Sequence, residues 1–182
     1  MKKILIVVDM QNDFVYGALG TPEAQAIVPN VKKKIEEYKS RGDSIIFTQD
    51  THYDNYLDTP EGKMLPVKHC IRLTDGWNVH QDLIEAMGDD EYLVIEKPTF
   101  GSINLMWEIE DMIDFYADKD EELEFVGLCT DICVVSNVLM AKAYYPDLKI
   151  TVDASCCAGV TPEKHNAALE VMKSCQIDVI GE

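Results

Sequence analysis

The stretch that decides the fold is residues 123–135, Leu-Glu-Phe-Val-Gly-Leu-Cys-Thr-Asp-Ile-Cys-Val-Val. Its apolar run, Leu123 to Leu128, predicts a buried strand, and the Thr130-Asp131 pair that follows is typical of a helix start. Cys133 is then expected in the first helical turn, where backbone N–H groups carry partial positive charge. Such a position lowers the pKa of a thiol and favours the thiolate, which is the form of cysteine that attacks carbonyl carbon.

Six segments have the aliphatic and β-branched composition of buried parallel strands. They are Lys3–Asp9, Ser44–Gln49, Tyr92–Glu96, Leu123–Cys129, Lys149–Asp153 and Ile177–Ile180. Helical patterns lie between them. One runs from Val28 to Tyr38 and ends at Gly42, a second runs from Val134 to Tyr145, and a third begins at Thr161 and reaches about Cys175. This alternation predicts an α/β fold, a three-layer α/β/α sandwich with a mainly parallel, roughly six-stranded sheet.

The length of 182 residues fits one domain, and we expect the whole chain, residues 1–182, to form it. Residues 51–79 do not follow the alternation of strands and helices. Their turn residues and polar groups predict a functional loop over the strand ends, which would carry a metal between about residues 50 and 79. The chain enters a strand directly at Met1-Lys2-Lys3-Ile4, so we expect no signal peptide and a cytoplasmic location.

The charge of the chain argues against two classes of partner. It has 16 basic and 33 acidic residues and a net charge of −17, which repels nucleic acid and anionic membrane surfaces. No apolar run is long enough to span a membrane. Many acidic residues lie between Glu108 and Glu124, outside an apolar stripe that extends from Leu105 to Tyr116, and we expect this acidic surface to be a solvated helix face.

The six cysteines are expected to be reduced thiols rather than a disulfide framework. Cys156, Cys157 and Cys175 are predicted to be small core residues. Cys129 and Cys133 could form a redox pair, but the spacing differs from the C-x-x-C of thioredoxin-like proteins.

Three predicted strand ends carry a carboxylate, a cation and a thiol, which together can form a nucleophilic site. Asp9 ends the first predicted strand, Lys97 follows the third, and Cys133 follows the fourth. Ligands of open α/β sheets bind beyond the carboxyl ends of the strands, so these three side chains should face one crevice. We interpret Cys133 as the nucleophile, Asp9 as the acid and base, and Lys97 as the cation that keeps Asp9 ionised and favours the thiolate.

A second group of side chains has the composition of a metal site. Asp50 and His52 lie two residues apart just after a strand, and His69 follows in the loop. One carboxylate with two imidazoles suits Zn²⁺, Mn²⁺ or Fe²⁺, and three or four protein ligands leave room for water and substrate.

Five motifs follow one another along nearly the whole chain. They are Val8-Asp9-Met10-Gln11-Asn12-Asp13-Phe14, Thr48-Gln49-Asp50-Thr51-His52, His69-Cys70, Lys97-Pro98-Thr99-Phe100-Gly101-Ser102 and Gly127 to Val134. With these motifs the sequence resembles the isochorismatase-like cysteine hydrolases, most closely their nicotinamidase (pyrazinamidase) branch, in which the motifs appear in the same order.

The resemblance implies a metal-dependent amidase that converts a small aromatic carboxamide to its acid and ammonia through a thioester on Cys133. It implies Asp50, His52 and His69 as ligands of a divalent metal, with Zn²⁺ expected, and it adds Glu61 as the weakest candidate ligand. The oxyanion would bind the backbone N–H groups of Cys133 and Cys129, in an arrangement that the family reaches through a cis peptide, here Leu128–Cys129.

The resemblance also implies a role in NAD salvage, and we expect a homo-oligomer. Phe14 is a candidate for the wall that contacts the substrate ring. The chain departs from the family pattern around the His69-Cys70 pair, where Arg72 and Leu73 could reshape the pocket, so the exact substrate stays open. His80 and His165 match no motif and are expected to be structural or exposed.

The sequence leaves two alternatives open. The first is another hydrolase of the superfamily, either a carbamoyl or ureido amidohydrolase or an isochorismatase acting on a vinyl ether. The candidate metal ligands favour the nicotinamidase branch, because the other branches of the superfamily generally lack a metal site. The second is a catalytically silent binding protein on the same scaffold, against which the retention of Asp9, Lys97 and Cys133 argues.

Overall fold

Six parallel strands form one sheet in the computed structural model, which describes residues 3–113 and 121–182. The strands are β1 (Lys3–Val8), β2 (Ser44–Asp50), β3 (Leu93–Lys97), β4 (Glu122–Leu128), β5 (Lys149–Ala158) and β6 (Asp178–Ile180). Their order across the sheet is β3-β2-β1-β4-β5-β6, and every pairing between neighbours is parallel. The predicted fold is confirmed.

Seven helices connect the strands within the described residues. They are α1 (Asn12–Val15), α2 (Pro22–Arg41), α3 (Pro60–Met64), α4 (Gln81–Met87), α5 (Ile103–Met112), α6 (Val135–Tyr144) and α7 (Pro162–Ser174). A 3₁₀ turn at Tyr56–Asp58 and a π-helical turn at Thr130–Val134 complete the helical structure. The start signals operate as predicted for α7, since the Thr161 hydroxyl accepts a hydrogen bond from the N–H of Lys164.

Hydrophobic side chains pack on both faces of the sheet. Along β1, Ile4, Ile6 and Val8 face one core cluster, whereas Leu5 and Val7 face the other. Alternate side chains of a strand point to opposite faces, so an uninterrupted aliphatic strand can serve two layers of helices. This double burial explains why the strands have apolar runs rather than an alternating pattern.

The position of β1 creates the crevice of the sheet. The chain extends the sheet from β1 to β2 and β3 on one side, and it returns to add β4, β5 and β6 on the other. Loops that leave β1 and β4 at their carboxyl ends therefore run in opposite directions, which opens a binding crevice between them.

Several details differ from the sequence-based expectation. β5 extends to Ala158 rather than Asp153, because the strand continues past an irregularity in the β4–β5 register. Cys175 is exposed, since it lies at the C-cap of α7 and not within a core-facing turn, so its prediction as a core residue is wrong. Tyr116, at the end of the predicted acidic helix, lies outside the described residues. No helix among the described residues is long and apolar enough to cross a membrane.

Candidate active site

The structure brings Asp9, Lys97 and Cys133 together at the carboxyl end of the sheet. Asp9 directly follows β1, Lys97 is the last residue of β3, and Cys133 lies in the π-helical turn after β4. The ammonium of Lys97 lies 2.6 Å from the Asp9 carboxylate and 3.5 Å from the Cys133 sulfur. All three side chains are buried. A long side chain is needed at position 97 because β2 separates β3 from β1.

Thr48 holds the carboxylate of Asp9 from the side opposite Lys97. Its hydroxyl donates a hydrogen bond of 2.6 Å to Asp9 Oδ1, while Lys97 lies at Oδ2. The Asp9 backbone has a φ of 47°, a left-handed conformation that turns the chain sharply out of β1. Sequence reasoning assigned no role to Thr48, although it stands in one of the motifs, because a buried threonine in a strand usually only packs.

Burial governs the ionisation of these groups. It raises the pKa of Asp9, and the charge of Lys97 opposes that shift. Burial lowers the pKa of Lys97, but the nearby carboxylates outweigh it and raise that pKa, so the ammonium stays charged. Burial and the Asp9 carboxylate raise the pKa of the Cys133 thiol well above its ordinary value, against the opposing effect of Lys97.

The expected lowering of the Cys133 pKa is therefore wrong for the resting site. The sequence argument counted the helix start and the cation, but it omitted the loss of water around a fully buried sulfur, which penalises the thiolate. Cys133 also lies in a π-helical turn that precedes α6, not in a regular first α-helical turn.

The backbone before Cys133 has the predicted unusual geometry. The peptide bond between Leu128 and Cys129 is cis, as the resemblance implied. Gly127, two residues before Cys129, has a φ of 116°, and a Cβ there would lie 2.1 Å from the carbonyl oxygen of Val8. Only glycine fits this close approach of β4 to β1, which brings the end of β4 beside Asp9.

Asp50, His52 and His69 form a second buried group next to the first. One ligand atom from each of them lies within 4.8 Å of the others. His52 Nε2 lies 3.0 Å from Asp50 Oδ2, and His69 Nε2 lies 3.6 Å from the same oxygen. Burial raises the pKa of Asp50, but the contacts with both imidazoles and Lys97 outweigh it and hold that pKa below its ordinary value. The predicted triad is thus brought together in a form that could hold a metal ion.

Glu61 lies beside the triad on the short helix α3. Its Oε1 is 3.6 Å from His52 Nε2 and 3.7 Å from His69 Nε2. The Thr59 hydroxyl caps α3 by accepting a hydrogen bond from the N–H of Gly62, which orients the first turn of the helix toward the imidazoles. Burial raises the pKa of Glu61.

The donor set fits a divalent cation. The buried Nε2 of His52 has no hydrogen-bond partner of acceptable geometry within the described part of the chain. Two buried carboxylates, Asp9 and Asp50, share one buried ammonium, since Lys97 lies 3.6 Å from Asp50 and 2.6 Å from Asp9. A cation bound by the triad would supply a partner for the orphaned nitrogen and offset the excess negative charge.

Comparison with known proteins identifies the family. The model of the isochorismatase domain matches residues 3–181. The chain belongs to the isochorismatase family. It is a nicotinamidase-like hydrolase of that family: it is 27% identical to the nicotinamidase of Escherichia coli (strain K12) over 194 residues, which cover 94% of this chain and 90% of the relative.

Solved structures of isochorismatase-family proteins give the same result. The nicotinamidase/pyrazinamidase of Bacillus subtilis matches with a TM-score of 0.82 at 28% identity, covering 99% of this chain and all of that one. The pyrazinamidase of Pyrococcus horikoshii in complex with zinc matches with a TM-score of 0.82 at 27% identity, covering 100% of each chain. The predicted family and the prediction of a hydrolase are confirmed.

Gln11 and Asp13 position the loop that carries the candidate metal ligands. The Gln11 amide donates to the carbonyls of Asp50 and Trp77 and accepts from the N–H of Asp50. The Asp13 carboxylate accepts the N–H of Cys70, next to His69. Both residues belong to the first motif of the resemblance, but the sequence alone assigns neither of them a role; the available signal is two polar side chains soon after a buried strand.

Other predicted residues lie around the site. The Phe14 ring lies 5.5 Å from the ring of His69, one of the candidate metal ligands. Arg72 forms a bidentate ion pair with Glu96 at the surface, and Leu73 is 77% exposed, so neither forms a closed pocket wall. A ring nitrogen of His165 lies 2.8 Å from the hydroxyl of Thr130, the first residue of the π-helical turn that contains Cys133.

Proposed function

We propose that this chain is a cysteine-dependent, metal-assisted amidase that hydrolyses a small aromatic carboxamide, of the nicotinamide or pyrazinamide type, to the acid and ammonia. The observation that carries the proposal is the contact of Lys97 with both Asp9 and Cys133, with Asp50, His52 and His69 alongside. A nucleophile, a proton acceptor and a candidate metal site in one buried crevice match the needs of this reaction.

The proposed reaction begins with the protonated thiol. As the Cys133 sulfur bonds to the amide carbon, its proton passes to the Asp9 carboxylate, and the carbonyl oxygen takes up the negative charge. Asp9 then gives the proton to the amide nitrogen, the C–N bond breaks, and ammonia leaves a thioester on Cys133. Water attacks the thioester while Asp9 accepts its proton, and breakage of the C–S bond releases the acid and returns the thiol.

The oxyanion of both tetrahedral intermediates would bind the backbone N–H groups of Cys129 and Cys133. Support comes from their placement at the two ends of one tight turn, whose first peptide is cis. Loss of one such donor commonly reduces turnover about 10²- to 10³-fold.

The metal ligands would be Asp50, His52 and His69, with Glu61 close enough to join them directly or through water. A bound divalent cation would supply a Lewis-acid site for a ring heteroatom of the substrate or for water. We propose Zn²⁺, because imidazole and carboxylate ligands suit it and the pyrazinamidase of Pyrococcus horikoshii was solved in complex with zinc. Phe14, beside His69, would form a wall for the substrate ring.

The test is ammonia release from nicotinamide, pyrazinamide and benzamide, with elemental analysis of the same preparation. Benzamide is the matched control, because it has the ring and the amide but no ring nitrogen. We expect nicotinamide or pyrazinamide to be hydrolysed faster than benzamide by a protein that contains a divalent metal. Hydrolysis of a carbamoyl or ureido compound alone, or of a vinyl ether, would contradict the proposal and favour another branch of the family. Turnover of none of these compounds would favour a binding protein.

A cytoplasmic location, a homo-oligomer and a role in NAD salvage stay predictions.

A further inference from the structure

The side chain of Asn137 connects two segments of the chain: the π-helical turn Thr130–Val134, which contains Cys133, and residues 99–102, which follow Lys97. Asn137 lies in the first turn of α6, and its side chain is 0% exposed. Its amide nitrogen donates to the carbonyl oxygen of Cys133 at 2.8 Å and to that of Phe100 at 3.0 Å. Its amide oxygen accepts the N–H of Ser102 at 2.9 Å. Three hydrogen bonds thus join one buried amide to two separate segments of backbone.

Residues 99–102, which Asn137 binds, also contact the side chain of Lys97. The Lys97 ammonium donates to the carbonyl of Thr99 at 3.1 Å, and the Thr99 hydroxyl donates to the carbonyl of Gly101. A Cβ at Gly101 would lie 2.9 Å from the end of the Met140 side chain on α6, so this segment packs closely on the helix. Movement of residues 99–102 away from α6 would therefore shift the backbone contact of the ammonium relative to Cys133.

We propose that Asn137 is a positioning residue, which sets the 3.5 Å contact between the Lys97 ammonium and the Cys133 sulfur by joining their two segments. This inference rests on the proposed role of Cys133 as the nucleophile. Asn137 touches neither the sulfur nor the ammonium in this arrangement; it holds the carbonyl of Cys133 and the backbone at Phe100 and Ser102. An amide is suited to this position because it offers two donors and one acceptor in a plane.

Two variants distinguish the link between the two segments from a role in which Asn137 only provides a hydrogen bond to the buried carbonyl of Cys133. Asn137→Leu keeps the approximate size and removes all three hydrogen bonds. Asn137→Ser can still donate to the Cys133 carbonyl four residues earlier, as Ser136 does to the carbonyl of Ile132 at 2.6 Å, but it cannot reach residues 100–102. Thr151→Val is the matched control, because it removes one buried hydrogen bond, to Glu122, near the amino-terminal ends of β4 and β5 and away from the candidate site.

The experiment measures kcat and KM for the carboxamide that the parent hydrolyses, and the pH dependence of Cys133 alkylation by iodoacetamide. We expect both Asn137 variants to reduce kcat about 10- to 100-fold, with a smaller change in KM, because displaced catalytic groups lose this much rate. The pH of half-maximal alkylation should rise, since the ammonium that favours the thiolate moves away. Thr151→Val should match the parent in both measurements.

A folded Asn137→Ser variant with the kcat and the alkylation profile of the parent would overturn the proposal, even if Asn137→Leu fails to fold. A lowered melting temperature with neither measurement changed would make Asn137 merely structural and would equally overturn it. The alkylation profile requires no substrate, so it tests the positioning role even if no carboxamide is hydrolysed. Unchanged turnover in Cys133→Ala would instead contradict the proposed function.

Discussion

The ammonium of Lys97 lies 2.6 Å from the carboxylate of Asp9, and the two side chains are 1% and 0% exposed. Burial alone would favour a protonated Asp9, but the cation and the Thr48 hydroxyl oppose this shift. The pair therefore offers a carboxylate that can accept a proton from the neighbouring Cys133 thiol. The pair lies at a place that solvent does not reach, where electrostatic interactions are strong.

Cys133→Ala should abolish amide hydrolysis and leave the fold intact. It removes the proposed nucleophile, and turnover should fall by about a thousandfold or more. Ammonia release and circular dichroism check the two statements. Cys157→Ala is the control, because it removes another buried thiol of the same core cluster. Near-parent activity in Cys133→Ala would exclude the covalent mechanism.

Thr48→Val should lower kcat about 10- to 100-fold, because it removes the hydrogen bond to Asp9 Oδ1 and leaves the carboxylate with fewer partners. The hydroxyl lowers the pKa of Asp9, so the acidic limb of the pH–rate profile should move to higher pH in this variant. Thr48→Ser keeps the hydroxyl and should retain most of the activity. Equal losses in the Ser and Val variants would show that packing of the methyl group, not the hydrogen bond, matters.

Iodoacetamide should modify Cys175 before Cys133 at neutral pH. Cys175 is exposed, whereas Cys133 is 5% exposed and burial raises its pKa. In a Cys175→Ser background, the rate at Cys133 should keep rising as the pH passes the ordinary thiol pKa of about 8.5. Peptide mapping by mass spectrometry measures both rates. Faster labelling of Cys133 than of Cys175 at neutral pH would mean that its pKa is lowered after all.

His69→Ala should reduce the bound metal and the turnover of nicotinamide together. It removes one of three candidate ligands, but it leaves Asp9, Lys97 and Cys133 in place, so Cys133 should still be alkylated. His80→Ala is the control. Within the described residues, the His80 side chain forms one hydrogen bond, which it accepts from the N–H of Asp82 at the start of α4. Unchanged turnover in His69→Ala, or active protein without a transition metal, would contradict the metal-assisted reaction.

Lys34→Met should destabilise the protein by about 3–5 kcal/mol at pH 7, because it leaves buried carboxylates without their cation. The Lys34 ammonium lies 2.6 Å from Glu124 and 2.7 Å from Asp153, and its side chain is 15% exposed. Lys33→Met on the same helix is the control, since the Lys33 side chain is 77% exposed and should contribute little. Denaturant unfolding measures both.

The effect of Lys34 should also depend on pH. Burial raises the pKa of Asp153, but Lys34 and Ser155 outweigh it, and the net pKa is lowered. A lowered pKa in the folded state stabilises the protein. This stabilisation is complete when the pH is above the pKa of the carboxyl in the unfolded chain, about 3.9, and it is lost as the pH falls through the pKa in the folded state. The difference in unfolding free energy between the parent and Lys34→Met should therefore narrow below about pH 4. A constant difference across this range would contradict the role of Asp153.

The sequence alone predicted much of the candidate site. Asp9, Lys97 and Cys133 each follow a segment with the composition of a buried strand, and strand ends of one parallel sheet lie at the same edge. The spacing of Asp50, now the last residue of β2, and His52, two residues further on, likewise predicted that these two side chains are neighbours. The roles of Thr48 and Asn137 could not be found in this way, because a buried threonine or asparagine has no sequence signal that tells a packing role from a contact with a distant residue.

The sequence by itself determined the elements, their parallel arrangement and the identity of the groups at the strand ends, because periodicity and composition act locally. Only the tertiary structure decided the ionisation of Cys133, the place of Glu61 beside the two imidazoles and the exposure of Cys175. These properties depend on how much water and which charges surround a side chain, and segments far apart in the sequence supply both. The raised pKa of Cys133, where local reasoning predicted a lowered one, follows from that dependence.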